Sequence, residues 1–281
     1  MITKKVTGCI LIIVSLLFFP LLGRAQVGIV NGLTQEKVCK PGEAFQSFIT
    51  IRNYGPTAED VRIYQTEYSF TFDGKSYYDP PGNAGRSNAS WTTTGQNQLT
   101  IPGSSQVDLR YAVKVPDDPK LIGTYWSVIM VEVLPKTEAA PPGAPKKEPS
   151  LGITQVMRYA VQIVTHIGDT GSRKLEFVGT ELLQETGQKT FQVDVQNTGE
   201  RWLRTYSRLE IYNLKGDLVG KFEGERLRTY PGTSARFKFD VSHVAEGRYK
   251  ALVVFDNKDS YVFGAQYTLD FTPSGKETGS L

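Results

Sequence analysis

From Gln26 to Thr272 this 281-residue chain shows almost no helical periodicity. Apolar residues recur at every second position in short runs, and Gly, Pro, Asn and Asp separate the runs. A repeat of two fits a strand with one buried face, whereas a helix would need a repeat near 3.6. Runs of this kind at short spacing predict an all-β chain of sandwich type. Residues 45–51 read as one strand, closed by the turn Asn53-Tyr54-Gly55-Pro56. Residues 61–72 read as the next, ending in the hairpin turn Asp73-Gly74, with Tyr64, Tyr68, Phe70 and Phe72 expected in the core. Residues 125–134 are nearly all apolar and predict a central strand buried on both faces.

The second half repeats landmarks of the first in the same order. Ile51-Arg52-Asn53-Tyr54-Gly55 matches Val195-Gln196-Asn197-Thr198-Gly199. Pro102-Gly103 matches Pro231-Gly232, and Gly123-Thr124-Tyr125 matches Gly247-Arg248-Tyr249. Each is a turn or strand-opening signal, and the Tyr suits a hydrogen bond back across a sandwich. The expectation is two Ig-like β-sandwiches in tandem, over residues 26–168 and 172–272. Residues 154–167, with Met157, Tyr159, Val161, Ile163 and Ile167 on one face, read as the last strand of the first. The Pro-rich stretch 137–149 reads as a long hairpin loop joining that strand to the central one, because a linker there would leave the central strand without a neighbour. The boundary then falls at Gly168-Asp169-Thr170-Gly171, and residues 273–281 form a polar tail.

Residues 1–25 predict a cleaved signal peptide: Lys4 and Lys5, an apolar run over 10–22, then Gly23-Arg24-Ala25. The rival, a retained anchor, needs about 20 apolar residues. The leader holds three of the 32 basic residues and none of the 29 acidic ones, so the mature chain is balanced at 29 against 29. No Lys/Arg run or basic helix occurs, which argues against nucleic acid and anionic membrane as partners. The expected location is exported: periplasm or cell envelope, or secreted. Cys9 leaves with the leader, so Cys39 stands alone, without an intramolecular disulfide, and reads as a half-buried spectator beside a Lys-Pro-Gly turn.

Nothing in the sequence foreshadows an enzyme, a metal or a cofactor. His166 ends the 154–167 strand and His243 lies in a polar turn. Zinc needs several Cys or His at set spacings, and Asp256-Asn257-Lys258-Asp259 lacks the further oxygens a calcium site wants. Asn88-Ala89-Ser90 is a glycosylation sequon for a host that modifies such sites.

The second face of residues 154–167 is Val156, Arg158, Ala160, Gln162 and Val164. If that face or the strand's edge is open, another chain can add to it by strand pairing; the bland reading is an internal strand covered by the second sandwich or the loop. An alternative ligand surface is the loop aromatics Tyr77, Tyr78 and Trp91, suited to glycan or a surface protein.

Two Ig-like domains, a leader, a long loop before a long alternating last strand: this layout resembles the periplasmic pilus (fimbrial) chaperones. The resemblance implies that the strand completes the fold of a pilus subunit. It also implies a Lys in that strand, with Arg158 at its place by position, and an early Arg, both holding the subunit's terminal carboxylate. The early Arg has no counterpart, since residues 26–40 hold only Lys37 and Lys40 as basic groups. Lys40-Pro41-Gly42-Glu43, Leu99-Thr100-Ile101-Pro102-Gly103 and Gly123-Thr124-Tyr125-Trp126 also make the chain similar to WxL-interacting cell-surface proteins. Both resemblances imply a protein partner, a pilus or surface-assembly subunit, and no catalysis.

Overall fold

The computed structural model describes residues 26–136, 156–185 and 187–272. The expected leader, the 137–149 loop, Thr154, Gln155 and the tail lie outside them. Eleven strands come first: β1 (Val27–Ile29), β2 (Thr34–Cys39), β3 (Ala44–Asn53), β4 (Glu59–Thr66), β5 (Ser69–Phe70), β6 (Ser76–Tyr77), β7 (Thr92–Thr94), β8 (Gln98–Ile101), β9 (Gln106–Lys114), β10 (Gly123–Val133) and β11 (Arg158–Ile167). They form two sheets, β1-β3-β9-β7 and β2-β11-β10-β4-β8, with β5-β6 as a separate hairpin. Seven follow: β12 (Leu175–Glu185), β13 (Gln188–Asn197), β14 (Leu203–Tyr212), β15 (Leu218–Thr229), β16 (Ser234–Asp240), β17 (Gly247–Asp256) and β18 (Val262–Phe271). These make the sheets β12-β13-β16 and β15-β14-β17-β18. Each sandwich has its own core. Ile49, Val61, Leu109, Ile129, Val131, Val161 and Ile163 lie in the first, and Phe191, Val193, Leu209, Phe237, Val253 and Phe255 in the second. Full burial of each such side chain contributes about 1.5–3 kcal/mol.

The alternation read from the sequence places these strands well where one face meets a core. β10 is buried from Gly123 through Glu132, as its apolar run predicts. β11 pairs antiparallel with it from Glu132↔Arg158 to Gly123↔Ile167, so the two long strands are neighbours. The expected strand over 61–72 is broken, however. β4 ends at Thr66, and Glu67 is buried with its carboxylate accepting N–H bonds from Gly82, Asn83 and Ala84. A buried carboxylate needs such partners, and supplying them bends the chain out of the sheet.

The repeated Asn landmarks do the same work twice. Asn53 Nδ2 donates to the carbonyls of Thr57 and Ile101, and its Oδ1 accepts from Gly55 N–H. Asn197 Nδ2 donates to Arg201 and Thr229, and its Oδ1 accepts from Gly199 N–H. Both side chains are fully buried, so each satisfies a turn from inside. Among the described residues the two Tyr residues of the third landmark make ring contacts and not the expected bond across the sandwich: Tyr125 lies against Trp91, and Tyr249 against Phe271.

The sandwiches meet over an aromatic cluster of Trp126, Val164 and Tyr230, with Tyr68, Phe70 and Trp202 packed against it. Beside it the backbones touch closely. A Cβ on Gly123 would sit 2.1 Å from Glu200 O, and one on Gly171 would sit 2.6 Å from Gly123 Cα. The 168–172 segment is tied down as well. Arg201 Nη1 donates to Gly168 O at 2.8 Å, and Ser172 N donates to Glu200 Oε2 at 3.0 Å.

Candidate strand-pairing site

The first sandwich opens with a strand that changes sheets. β1 pairs with β3, but β2 pairs in parallel with β11 in the opposite sheet. Residues 30–33 make the crossing. Asn31 stands in for the missing ladder there: Nδ2 donates to Phe48 O at 2.8 Å and Oδ1 accepts from Thr50 N at 3.0 Å. Because of this crossing β2 reaches β11 late. Their register runs from Gln162↔Thr34 to Ile167↔Cys39, with Gln162 N donating to Leu33 O.

β11 therefore has two different halves. One edge is paired with β10 throughout. The other is paired with β2 from Gln162 onward and has no partner among the described residues from Arg158 to Val161. Gln162 turns its N–H toward β2, while Met157 C=O accepts from Val133 N on the β10 side. Backbone groups alternate along a strand, so Arg158 and Ala160 present their N–H and C=O to the open edge. Val156 and Met157, just before the strand, are exposed.

The five residues singled out on the second face are split by this arrangement. Val164 is fully buried beneath Trp126 and Tyr230. Gln162 Oε1 accepts from Tyr230 Oη at 2.5 Å and from Arg228 Nη1 at 3.3 Å. Both belong to the contact between the sandwiches, so the second sandwich takes two positions of the expected partner face. Val156, Arg158 and Ala160 remain outside it.

Across the sheet, Ala160 stands opposite Met130, which stands opposite Tyr64; the next row is Arg158, Glu132 and Arg62. Glu132 is buried and triply held. Arg158 Nε lies 2.7 Å away, Arg62 Nη2 2.8 Å, and Tyr64 Oη donates at 2.9 Å. Burial alone would raise its pKa, but the Tyr64 hydrogen bond and the Arg158 and Arg62 charges outweigh it and hold the carboxyl below its ordinary range. Arg158 thus arrives already paired, in a row of two guanidinium groups and one carboxylate.

The aromatic alternative does not form one surface. Trp91 packs into the first core against Tyr125, with ring centroids 4.6 Å apart. Tyr77 and Tyr78 are exposed, and Tyr78 stacks on Tyr68 at 5.1 Å. Nor are Tyr64, Tyr68, Phe70 and Phe72 core residues. Tyr64 lies in the Glu132 cluster, Tyr68 and Phe70 join the aromatic cluster between the sandwiches, and Phe72 is exposed under the Arg236 guanidinium at 5.3 Å. A groove of about 540 Å³ runs between the sandwiches here, lined by Phe70, Phe72, Gln162, Arg228, Tyr230 and Arg236 among others. Sequence reasoning missed Arg228 and Tyr230. Their one local signal was the Pro231-Gly232 turn, which says nothing of what the preceding side chains touch.

His166 is buried, its Nδ1 2.9 Å from Thr124 Oγ1 and its ring against Trp202. Cys39 is buried, not half-buried, and burial first and then the Glu43 charge push its thiol pKa up. Asn88 is fully buried, with Nδ2 donating to Ile163 O at 3.1 Å and Thr165 Oγ1 at 3.0 Å, so the folded chain closes the sequon to an enzyme. Among the described residues no group of three or more His, Cys, Asp or Glu is placed to hold a metal.

No family model matches this chain. No curated protein matches it either. Solved structures similar to it include the class 5 fimbriae chaperone CfaA, at 10% identity and a TM-score of 0.44, covering 88% of this chain and 99% of that one. Another is the CsuC–CsuE chaperone–tip adhesion subunit pre-assembly complex of Acinetobacter baumannii Csu pili, at 12% identity, 0.42, and 86% and 98% coverage. A third is the E. coli chaperone DraB, at 14% identity, 0.38, and 85% and 96%. At these scores the likeness assigns neither family nor activity, and the architecture rests on the strand order given above.

Proposed function

We propose that this chain is an exported protein that captures another protein by strand pairing on the open half of β11. The observation that carries the reading is the late arrival of β2. It leaves the outward N–H and C=O of Arg158 and Ala160 without a described partner, next to the exposed Val156 and Met157. An extended segment adding there would continue the sheet beyond β11, gaining main-chain hydrogen bonds for affinity and side-chain contacts for choice. Its alternate residues would lie beside Ala160 and the Arg158–Glu132–Arg62 row, whose net positive charge favours an acidic neighbour. The segment must end or turn at Gln162, where β2 occupies the edge. A pilus or surface-assembly subunit in the periplasm or cell envelope is the partner class that the sequence resemblance implies.

The test is recovery of partners from the host envelope on the mature chain, with Ala160→Pro beside it. Ala160 N–H faces the open edge, so proline removes one outward donor and leaves the β10 ladder whole. One dominant small β-rich protein at about one to one, lost with Ala160→Pro at an unchanged melting temperature, supports the reading. Equal recovery by the two chains, or recovery of glycan alone, sinks it.

A further inference from the structure

Sheet edges are templates for other chains, and natural sheets blunt them by shortness, charge or bulges. Nearly every other edge here is blunted or covered. β1 and β7 have three residues each and β8 has four. β2 is short and carries Glu36 and Lys37. β12 breaks register between Phe177 and Gly179 and carries Glu176, Glu181 and Glu185. β15 shifts register twice, carries Lys221, Glu223, Glu225 and Arg226, and packs beside β16.

β18 is the exception. It runs ten residues in unbroken register with β17, and from Val262 to Leu269 it holds no charge and no proline. Its last turn shows which groups point away from β17. Asp270 C=O accepts from Gln184 Nε2 at 3.2 Å, and Thr272 N donates to Gln184 Oε1 at 3.0 Å. Tyr261 C=O, by contrast, accepts from Asn257 N at 3.2 Å, toward the hairpin. The even-numbered residues therefore turn outward. Gln184 caps the end of the series. Val262, Gly264, Gln266 and Thr268 are left without backbone partners on that edge among the described residues, and Val262 is 61% exposed.

We propose that β18 pairs antiparallel with β18 of a second copy of this chain, about a two-fold axis at Ala265. That centre sets Val262 opposite Thr268 of the second copy and Gly264 opposite its Gln266. All four outward residues then find partners at once, with about eight new ladder bonds. No charged side chains oppose one another, so nothing repels the second copy. The isologous contact closes, joining two four-stranded sheets into one of eight and leaving neither β18 edge free. The register stops where Gln184 begins to cap, which confines the pairing to the uncharged stretch.

Sedimentation of the mature chain over a micromolar to submillimolar range tests this, with three variants whose melting temperatures serve as folding controls. The wild-type chain is expected to dimerise with concentration. Val262→Lys with Thr268→Lys puts like charges opposite at both ends of the pairing and should raise the dimer Kd about tenfold or more. Val262→Lys with Thr268→Glu puts opposite charges in the same places and should restore the dimer. Ala160→Pro, on the open half of β11, should leave it unchanged. A wild-type chain that stays monomeric throughout overturns the proposal. So does a dimer that survives the two lysines, a Lys/Glu variant no better than the Lys/Lys variant, or a dimer dissolved by Ala160→Pro.

Discussion

Tyr230→Ala is expected to uncouple the two sandwiches. Tyr230 is 1% exposed and sits where both halves of the chain meet. Its ring stacks on Trp126 at 4.6 Å and 13°, and meets Trp202 at 5.8 Å, Phe70 at 6.3 Å and Tyr68 at 6.4 Å. Its hydroxyl reaches Gln162 at 2.5 Å. Truncating a buried aromatic costs about 3–5 kcal/mol. Within that, each well-placed ring pair accounts for about 0.5–1.5 kcal/mol and the hydrogen bond for about 1 kcal/mol. For a chain of this size the melting temperature should fall by about 6–20 °C. The two main cores share no residue, so both survive the truncation and only the cluster between them is lost. Calorimetry is the assay: one cooperative transition for the wild-type chain, two resolved transitions for the variant. A variant that still unfolds in one step, within about 1 kcal/mol of wild type, would refute the claim that this ring couples the sandwiches.

Acid should weaken the same contact through His166. Burial first, then the Arg201 and Arg228 charges, lower its pKa from 6.5 to about 4; Glu36, 3.6 Å from Nε2, is too exposed to offset them. The unfolded chain binds the proton that the folded chain refuses, so stability is full above pH 6.5 and declines as the pH falls toward about 4, by up to ~3 kcal/mol. Urea midpoints should therefore fall between pH 6.5 and 4 for wild type more steeply than for His166→Gln, and parallel curves would contradict this. Asn53→Ala and Asn197→Ala should each cost about 2–4 kcal/mol, because each strands buried turn groups, and the loss should fall mainly on the sandwich that holds the residue. Hydrogen exchange resolved by sandwich checks this; equal loosening of both by either change would count against it.

The alternation along the strands was legible because a core on one side of a sheet imposes a period of two, whatever the partner. The Asn landmarks were legible too, since a side chain that closes its own turn acts within a few residues. The proposed partner face was legible only in part. Val156, Arg158, Ala160, Gln162 and Val164 form one stripe in the sequence, but Tyr230 and Arg228, more than sixty residues away, hold Gln162, and Tyr230 packs with Val164, so two of the five positions are taken. The aromatic run at 64–72 misled for the same reason. Its rings are as apolar as core residues, and the cluster between the sandwiches partly buries Tyr68 and Phe70.

The sequence by itself determined that the chain is all-β, that it holds two sandwiches built on one plan, and which strand is central. Local chemistry carries those properties: strand period, turn residues and apolar runs. The tertiary structure decided where edges stay open and where faces close. The crossing of β1 into β2 at Asn31 sets how much of β11 is free, the Gln184 cap sets how much of β18 is free, and the second sandwich takes Gln162 and Val164 out of a face. Each depends on groups far apart in the chain meeting in space, which no period or spacing records.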